Sequence, residues 1–259
     1  MHIFRIFKSI SRNILENFGF EIARLRKSPR RTLCGLHDFP FSTIIDVGAN
    51  TGQFASYIRE IFPEAMIVCF EPLPEAYREL SCWAKKQEGN AVTFNVAIGE
   101  KAGNMNMFYH KKHSPSSSLL SSTAIVESYF PFTKEQVAIS VEINTLDGVL
   151  RDMWPEIKPE VLVKVDVQGY EDRVLRGGSE TLKKAAACIL EVSIDYLYEG
   201  QANFLDLLQV MNDMGFTFAG ILNQVCGEDG HVIYFDAVFI DPIKISWGKS
   251  WIHKDTRTE

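Results

Sequence analysis

Short apolar runs and helix-period segments alternate along most of the chain. Thr43–Val47 and Met66–Phe70 are rich in β-branched and apolar residues and read as buried strands. Between them, Phe54-Ala55-Ser56-Tyr57-Ile58 opens a helical pattern over about 52–61. Pro72 and Pro74 end the second run and start a helix over 74–86, and a third strand is expected over 92–97. Downstream come a strand over 161–167, a short helix over 172–176 stopped by Gly177-Gly178, a strand over 187–192, and a helix over 203–214 ended by Gly215. The last two strands, 217–222 and 232–240, are joined by a glycine turn at 227–230, so that pair is antiparallel. The alternation predicts an α/β fold: a seven-stranded, mostly parallel sheet with helices on both faces and an antiparallel last strand.

The rhythm breaks over 102–143. Met105, Met107 and Tyr109 alternate with polar neighbours, as do Val137, Ile139, Val141 and Ile143, which gives two strand-like segments. The Lys- and Ser-rich stretch between them is long for a structureless connector. It reads as an active-site flap or a flexible surface loop. It carries His110 and His113, the two histidines placed to act as bases; a solvated loop histidine is the more common alternative.

Asp46-Val47-Gly48-Ala49-Asn50-Thr51-Gly52 follows the first strand. A strand, a glycine loop and a helix start make a nucleotide-sized site, because glycines let backbone N–H groups approach a ligand. The dinucleotide fingerprint asks for G-x-G-x-x-G. Here only two glycines occur, spaced G-x-x-x-G, with an acid before them. Asp46 would repel a pyrophosphate and favour an amine-bearing or cationic cofactor. The spacing D-x-G-x-x-x-G resembles that of class I S-adenosylmethionine (SAM) methyltransferases. Glu71 ends the second strand 19 residues past Gly52, near the distance at which an acid holds ribose hydroxyls. Asn95 and Ala97 close the third strand beside this edge. Lys164 and Asp166 lie on one face of the fourth strand, with Asp166 at its carboxyl end, where catalytic groups gather in open α/β sheets. Glu171 follows that strand and Glu191 sits near the end of the next. A structural Lys–Asp pair is the plain alternative.

The formal charge of −6 is unevenly distributed. Residues 1–31 hold eight Lys and Arg against two acids, a charge of +6, which leaves −12 on the rest. Apolar residues at helical spacing make 1–33 a basic amphipathic helical segment. It either packs over the main domain, lies on an acidic membrane surface, or serves as a dimerisation arm. The segment lacks the apolar run of a membrane span and a secretory cleavage pattern, so the expected location is cytoplasmic or membrane-peripheral. The main domain is expected over 34–245, followed by a polar tail over 246–259. Its acidity argues against a nucleic-acid partner. Five cysteines without C-x-x-C spacing suggest neither zinc nor a disulfide framework.

Taken together, Ile45-Asp46-Val47-Gly48-Ala49-Asn50-Thr51-Gly52, Phe70-Glu71-Pro72, Asn95-Val96-Ala97-Ile98, Ser117-Ser118-Leu119, Asn144-Thr145-Leu146-Asp147, Lys164-Val165-Asp166-Val167-Gln168-Gly169-Tyr170-Glu171 and Leu190-Glu191 resemble the FkbM family of SAM-dependent methyltransferases over about 40–240. Gln168 departs from that pattern, since members often carry Glu there. The resemblance implies a class I, Rossmann-like methyltransferase fold and O-methylation of a hydroxyl on a sugar, glycoconjugate or natural product. It implies SAM at Asp46, Gly48, Ala49, Asn50, Gly52, Glu71, Pro72, Asn95, Ala97 and Ser118. The expected catalytic set is Asp166 as base, Lys164 keeping it ionised, and Glu171 and Glu191 as second bases or acceptor holders. Asp166 and Glu191 could instead share a divalent metal, although no spacing demands one. The rival readings are a non-catalytic SAM-binding scaffold, an NAD-dependent oxidoreductase and an RNA ribose methyltransferase.

Overall fold

The computed structural model describes residues 28–245. Met1–Asp38 and Phe39–Glu259 form separate compact units. The described part of the first holds one helical turn, Pro29–Thr32, and a 3-10 turn, Leu33–Gly35. Most of the expected basic amphipathic segment, and the tail over 246–259, lie outside the described residues. No helix among the described residues is long and apolar enough to cross a membrane.

The larger unit is built on a seven-stranded sheet. Its strands are β1 Thr43–Val47, β2 Met66–Phe70, β3 Ala91–Phe94, β7 Val161–Val165, β8 Ala185–Ser193, β9 Thr217–Cys226 and β10 Val232–Ile240. They run in the order β3-β2-β1-β7-β8-β10-β9. The first five strands in that order are parallel, while β10 is antiparallel to both β8 and β9. This is the seven-stranded, mostly parallel sheet with one antiparallel strand that the alternation predicts.

Every residue of β1 and β7 is buried, as expected in the centre of a parallel sheet covered on both faces, and this includes the charged Asp46 and Lys164. Side chains alternate between the two faces. Ile45, Val47, Val163, Val165 and Leu190 join one core cluster with Leu146, Leu150, Val174, Leu175, Leu207 and Met211. Those six come from helices α4 Leu146–Leu150, α5 Glu171–Gly177 and α7 Phe204–Asp213. Three further helices are α1 Gln53–Ile61, α2 Pro74–Ala84 and α3 Ala124–Tyr129.

One local expectation changes. The third strand does not run through to Ala97: it breaks after Phe94, and Ala97–Ile98 is a separate two-residue β4. The cause is Asn95, whose side-chain N–H groups bond the carbonyls of Glu71 at 2.8 Å and Pro72 at 3.1 Å and turn the chain out of the main sheet. Ala97 then pairs with Ile143 in a three-stranded sheet, β4-β6-β5, with β5 Gly103–His110 and β6 Gln136–Asn144. Gly177-Gly178 does end α5, with Gly178 leaving the helical conformation, but a second helix, α6 Ser179–Lys184, follows at once. Gly177 is required because a Cβ there would lie 1.9 Å from the Gly99 carbonyl oxygen.

The stretch between β5 and β6 is ordered, not a loose loop. A 3-10 turn at Ser114–Ser116 and the helix α3 occupy it, and Ser116, Ser117 and Ser118 are buried. The Asn144–Asp147 motif is a pair of caps. Thr145 Oγ accepts from Gly148 N–H at the start of α4, and the Asp147 carboxylate accepts from Glu180 and Thr181 N–H at the start of α6.

Candidate active site

The tips of β1, β2 and β7 form one edge. Gly48 and Ala49 both donate their N–H to the Phe70 carbonyl at 3.0 Å, which folds the glycine loop against β2. Gly48 has φ +83°, and a Cβ there would meet the Asp166 carbonyl oxygen at 1.8 Å. The first glycine therefore lets the β1 loop and the β7 tip approach to backbone contact. Asn50 also sits in the left-handed region, with φ 46°. Its N–H donates to Glu71 Oε2 at 2.8 Å, and Leu73 N–H donates to Glu71 Oε1 at 2.7 Å. Each Glu71 oxygen keeps a further lone pair. Burial pushes this carboxyl up to about 7, against the lowering effect of those two N–H groups. Gly52 is the left-handed residue that starts α1.

Asp46 is fully buried, and neither of its carboxylate oxygens has a hydrogen-bond partner. Lys164 Nζ, its neighbour in register on β7, lies 3.7 Å from Asp46 Oδ1, an ion-pair distance beyond hydrogen-bond reach. Burial raises Asp46 to about 6; Lys164 opposes the rise and the Asp166 charge adds to it. Lys164 Nζ bonds Asp166 Oδ2 at 2.9 Å and sits over the Phe54 ring. Burial alone would lower the Lys164 ammonium, but the Asp166 and Asp46 carboxylates outweigh burial and hold it above its ordinary value.

Asp166 stands beyond the end of β7 with 27% of its side chain exposed, the most accessible carboxylate of the group. Its second oxygen accepts from Gln168 Nε2 at 2.9 Å, and the same nitrogen donates to Glu191 Oε1 at 2.6 Å. Gln168 Oε1 accepts from the Tyr198 hydroxyl at 2.7 Å. Glu191 is buried and raised well above the ordinary carboxyl range, first by burial and then by the Asp166 and Glu171 charges. Glu171 Oε1 accepts from Val167 and Gly169 N–H, both at 3.1 Å, so it braces the loop after β7; burial lifts it to about 7.

Beside Gln168 is a cavity of about 130 Å3. His113, Ser116, Phe130, Phe132, Tyr198 and Tyr234 line it together with Gln168. The insertion thus supplies one wall, and the β8–β10 region supplies the other. His113 Nδ1 is 2.9 Å from Ser116 Oγ. His110 is fully buried with Nε2 3.2 Å from Ser122 Oγ, and burial lowers both imidazoles.

Of the residues singled out in the sequence, Asp46, Gly48, Ala49, Asn50, Gly52 and Glu71 cluster at the β1–β2 edge, and Lys164, Asp166 and Glu191 meet beside it. Pro72 and Asn95 adjoin through the Asn95 amide. Ala97 lies in the small sheet. Ser118 Oγ donates to the Gln168 carbonyl at 2.6 Å, so it supports the β7 loop. Three participants had no local signature: Ser114, whose hydroxyl bonds the Asn50 side chain; Tyr198; and the bridging role of Gln168. Among the described residues, no group of three or more His, Cys, Asp and Glu is arranged to hold a metal ion.

The sheet order and the glycine loop at its carboxyl edge define a class I methyltransferase fold. Residues 46–218 match the model of the Methyltransferase FkbM domain, and the chain belongs to that family. Relatives include Methyltransferase sdnD of Sordaria araneosa, 30% identical over 57% of this chain and 64% of that protein, so the match spans less than two thirds of that relative. Another is 2-O-methyltransferase NoeI of Sinorhizobium fredii, 29% identical over 70% of this chain and 75% of that one. A solved methyltransferase FkbM from Methylobacillus flagellatus superposes with a TM-score of 0.49 at 13% identity, covering 84% of this chain and 48% of that one.

Proposed function

We propose that the protein is a SAM-dependent O-methyltransferase that acts on a hydroxyl of a sugar, glycoconjugate or natural product. The observation that carries this reading is Asp166: a carboxylate with 27% of its side chain exposed, fixed by Lys164 and by Gln168, which itself lines an aromatic-walled cavity.

The residues at the β1–β2 edge fit SAM. The two unsatisfied oxygens of buried Asp46 call for a donor or a positive charge, and Glu71 has lone pairs for ribose hydroxyls. Asp46, Gly48, Ala49, Asn50, Gly52 and Glu71 would hold it. Bound there, SAM supplies an electrophilic methyl group on a sulfonium.

The cavity is smaller than the roughly 300–1,000 Å3 of an ordinary ligand pocket. It therefore suits one ring of a larger acceptor, with the rest lying outside. A ring seated against Phe130, Phe132 and Tyr198 presents a hydroxyl toward Gln168 and Asp166. Asp166 would take the proton of an acceptor hydroxyl held there. Lys164 offsets the carboxylate's charge, and Gln168 keeps its free lone pairs aimed outward. Holding the acceptor oxygen in place would contribute several kcal/mol or more to lowering the barrier, on the order expected of proximity effects. General-base catalysis adds about 10²–10⁴-fold. Support for transfer to oxygen rather than nitrogen comes from the base itself, since an amine acceptor has less need of one, and from the 2-O-methyltransferase NoeI among the relatives.

The test is Asp166→Asn. Calorimetry should show SAM binding within a few-fold of wild type, while methyl transfer to the acceptor, read by mass spectrometry, falls by about 10²-fold or more. Transfer at the wild-type rate would remove Asp166 as the base.

A further inference from the structure

Gln168 holds a left-handed backbone conformation, φ 57°, that side-chain-bearing residues seldom adopt, and it does so directly before Gly169 at φ 93°. This bend turns its amide back over the β7 tip. There the nitrogen donates one N–H to Asp166 Oδ1 at 2.9 Å and the other to Glu191 Oε1 at 2.6 Å. Tyr198 fixes which end points where. Its hydroxyl, also 3.1 Å from the Ser116 carbonyl oxygen, is 2.7 Å from Gln168 Oε1. The reverse orientation would aim the amide oxygen at two carboxylates and leave it repelled.

Two carboxylates converging on one point from adjacent strands is an arrangement that oxygen-seeking divalent cations occupy. In this chain the amide fills the point. We propose that Gln168 is a positioning residue that stands, between Asp166 and Glu191, where a divalent cation would otherwise bridge them, so that this site takes the acceptor's proton without a metal. The inference rests on the methyltransferase reading and says how its base is held.

The surrounding charge makes the substitution sensitive. Asp46 faces the cluster from β1, Lys164 and Asp166 from β7, and Glu171 from α5. Glu191 faces it from β8, Tyr198 from the segment after β8, and Tyr234 and Asp236 from β10. Lys164 is the only cation named in this set. A carboxylate at position 168 would therefore lose both donated hydrogen bonds and meet two like charges. A cation could then restore the balance.

The experiment compares wild type, Gln168→Glu, Gln168→Met and Gln168→Asn, each by calorimetric titration with Mn2+ and by methyl-transfer kinetics across pH. Wild type should take up no Mn2+ at this cluster, and its rate should be unchanged by EDTA. Gln168→Glu should gain Mn2+ binding that a second change, Glu191→Gln, abolishes. Without metal its kcat should fall at least tenfold and the acidic limb of its pH profile should move upward, because a third carboxylate holds protons on the cluster. Gln168→Met should lower kcat with little change in KM for SAM, and Gln168→Asn should recover part of the loss. Wild-type Mn2+ uptake that Glu191→Gln removes would overturn the inference, as would wild-type kcat in Gln168→Met. The methyltransferase reading stands or falls separately, on SAM binding and transfer by the wild type.

Discussion

Asp46→Asn should make this protein more stable while stripping it of its cofactor. The carboxyl's ordinary value of 3.8 rises to about 6 in the folded chain, first because it is buried, and that value already includes the Lys164 attraction. The folded state thus holds this proton more tightly than the unfolded chain. As pH rises from about 4 to about 6, wild type loses stability, and above that the loss is constant. At 1.36 kcal/mol per pKa unit it amounts to about 3 kcal/mol. Asparagine is an isostere of the protonated acid, so its own unsatisfied groups cancel in the comparison. Urea titrations should show the variant indistinguishable from wild type near pH 4 and more stable by about 1–3 kcal/mol at pH 7.5. At roughly 2–4 °C per kcal/mol for a domain of this size, the melting temperature should rise by about 2–12 °C. Calorimetry should show SAM affinity reduced about 10–100-fold, the loss of a charge-assisted contact. A variant no more stable than wild type at pH 7.5 would refute the reasoning, because it would mean the fold itself satisfies Asp46. Unchanged SAM affinity would refute the assigned role.

Gly48→Ala puts a methyl group 1.8 Å from the Asp166 carbonyl oxygen at φ +83°, so it should separate the β1 loop from the β7 tip. Strain of about 1–3 kcal/mol is expected in denaturant titration, together with loss of both SAM binding and transfer; SAM binding as in wild type would show that the close approach is dispensable. On the surface, His231 bridges Asp229 and Asp195, and Tyr129 of α3 donates to the same Asp195 oxygen at 2.7 Å. The two carboxylates raise the His231 imidazole above its ordinary value, so this link is intact at low pH and weakens as pH rises through that raised value. Hydrogen exchange of 124–129 should therefore quicken over that range in wild type. Asp195→Asn should flatten the dependence; an unchanged dependence would remove His231 from the link.

The sequence by itself determined the alternation of the main-sheet strands with their helices and the edge at which the site lies. Apolar runs ending in Asp46, Glu71 and Asp166 can only be central strands whose polar tips share one end, because parallel strands put all their carboxyl ends together. What it left open depends on contacts between residues far apart in the chain. Glu171 and Glu191 read alike as acids near strand ends, yet one braces backbone N–H groups and the other accepts from the Gln168 amide. Ala97 read as part of a third strand until the Asn95 amide, bonding Glu71 and Pro72, took it into another sheet. Gln168 stood out as an unusual residue, but its meaning came from Glu191 and Tyr198, 23 and 30 residues away. Periodicity records what each residue does with its chain neighbours. A side chain with three polar partners on separate elements leaves no periodic trace, and only tertiary packing decides its role.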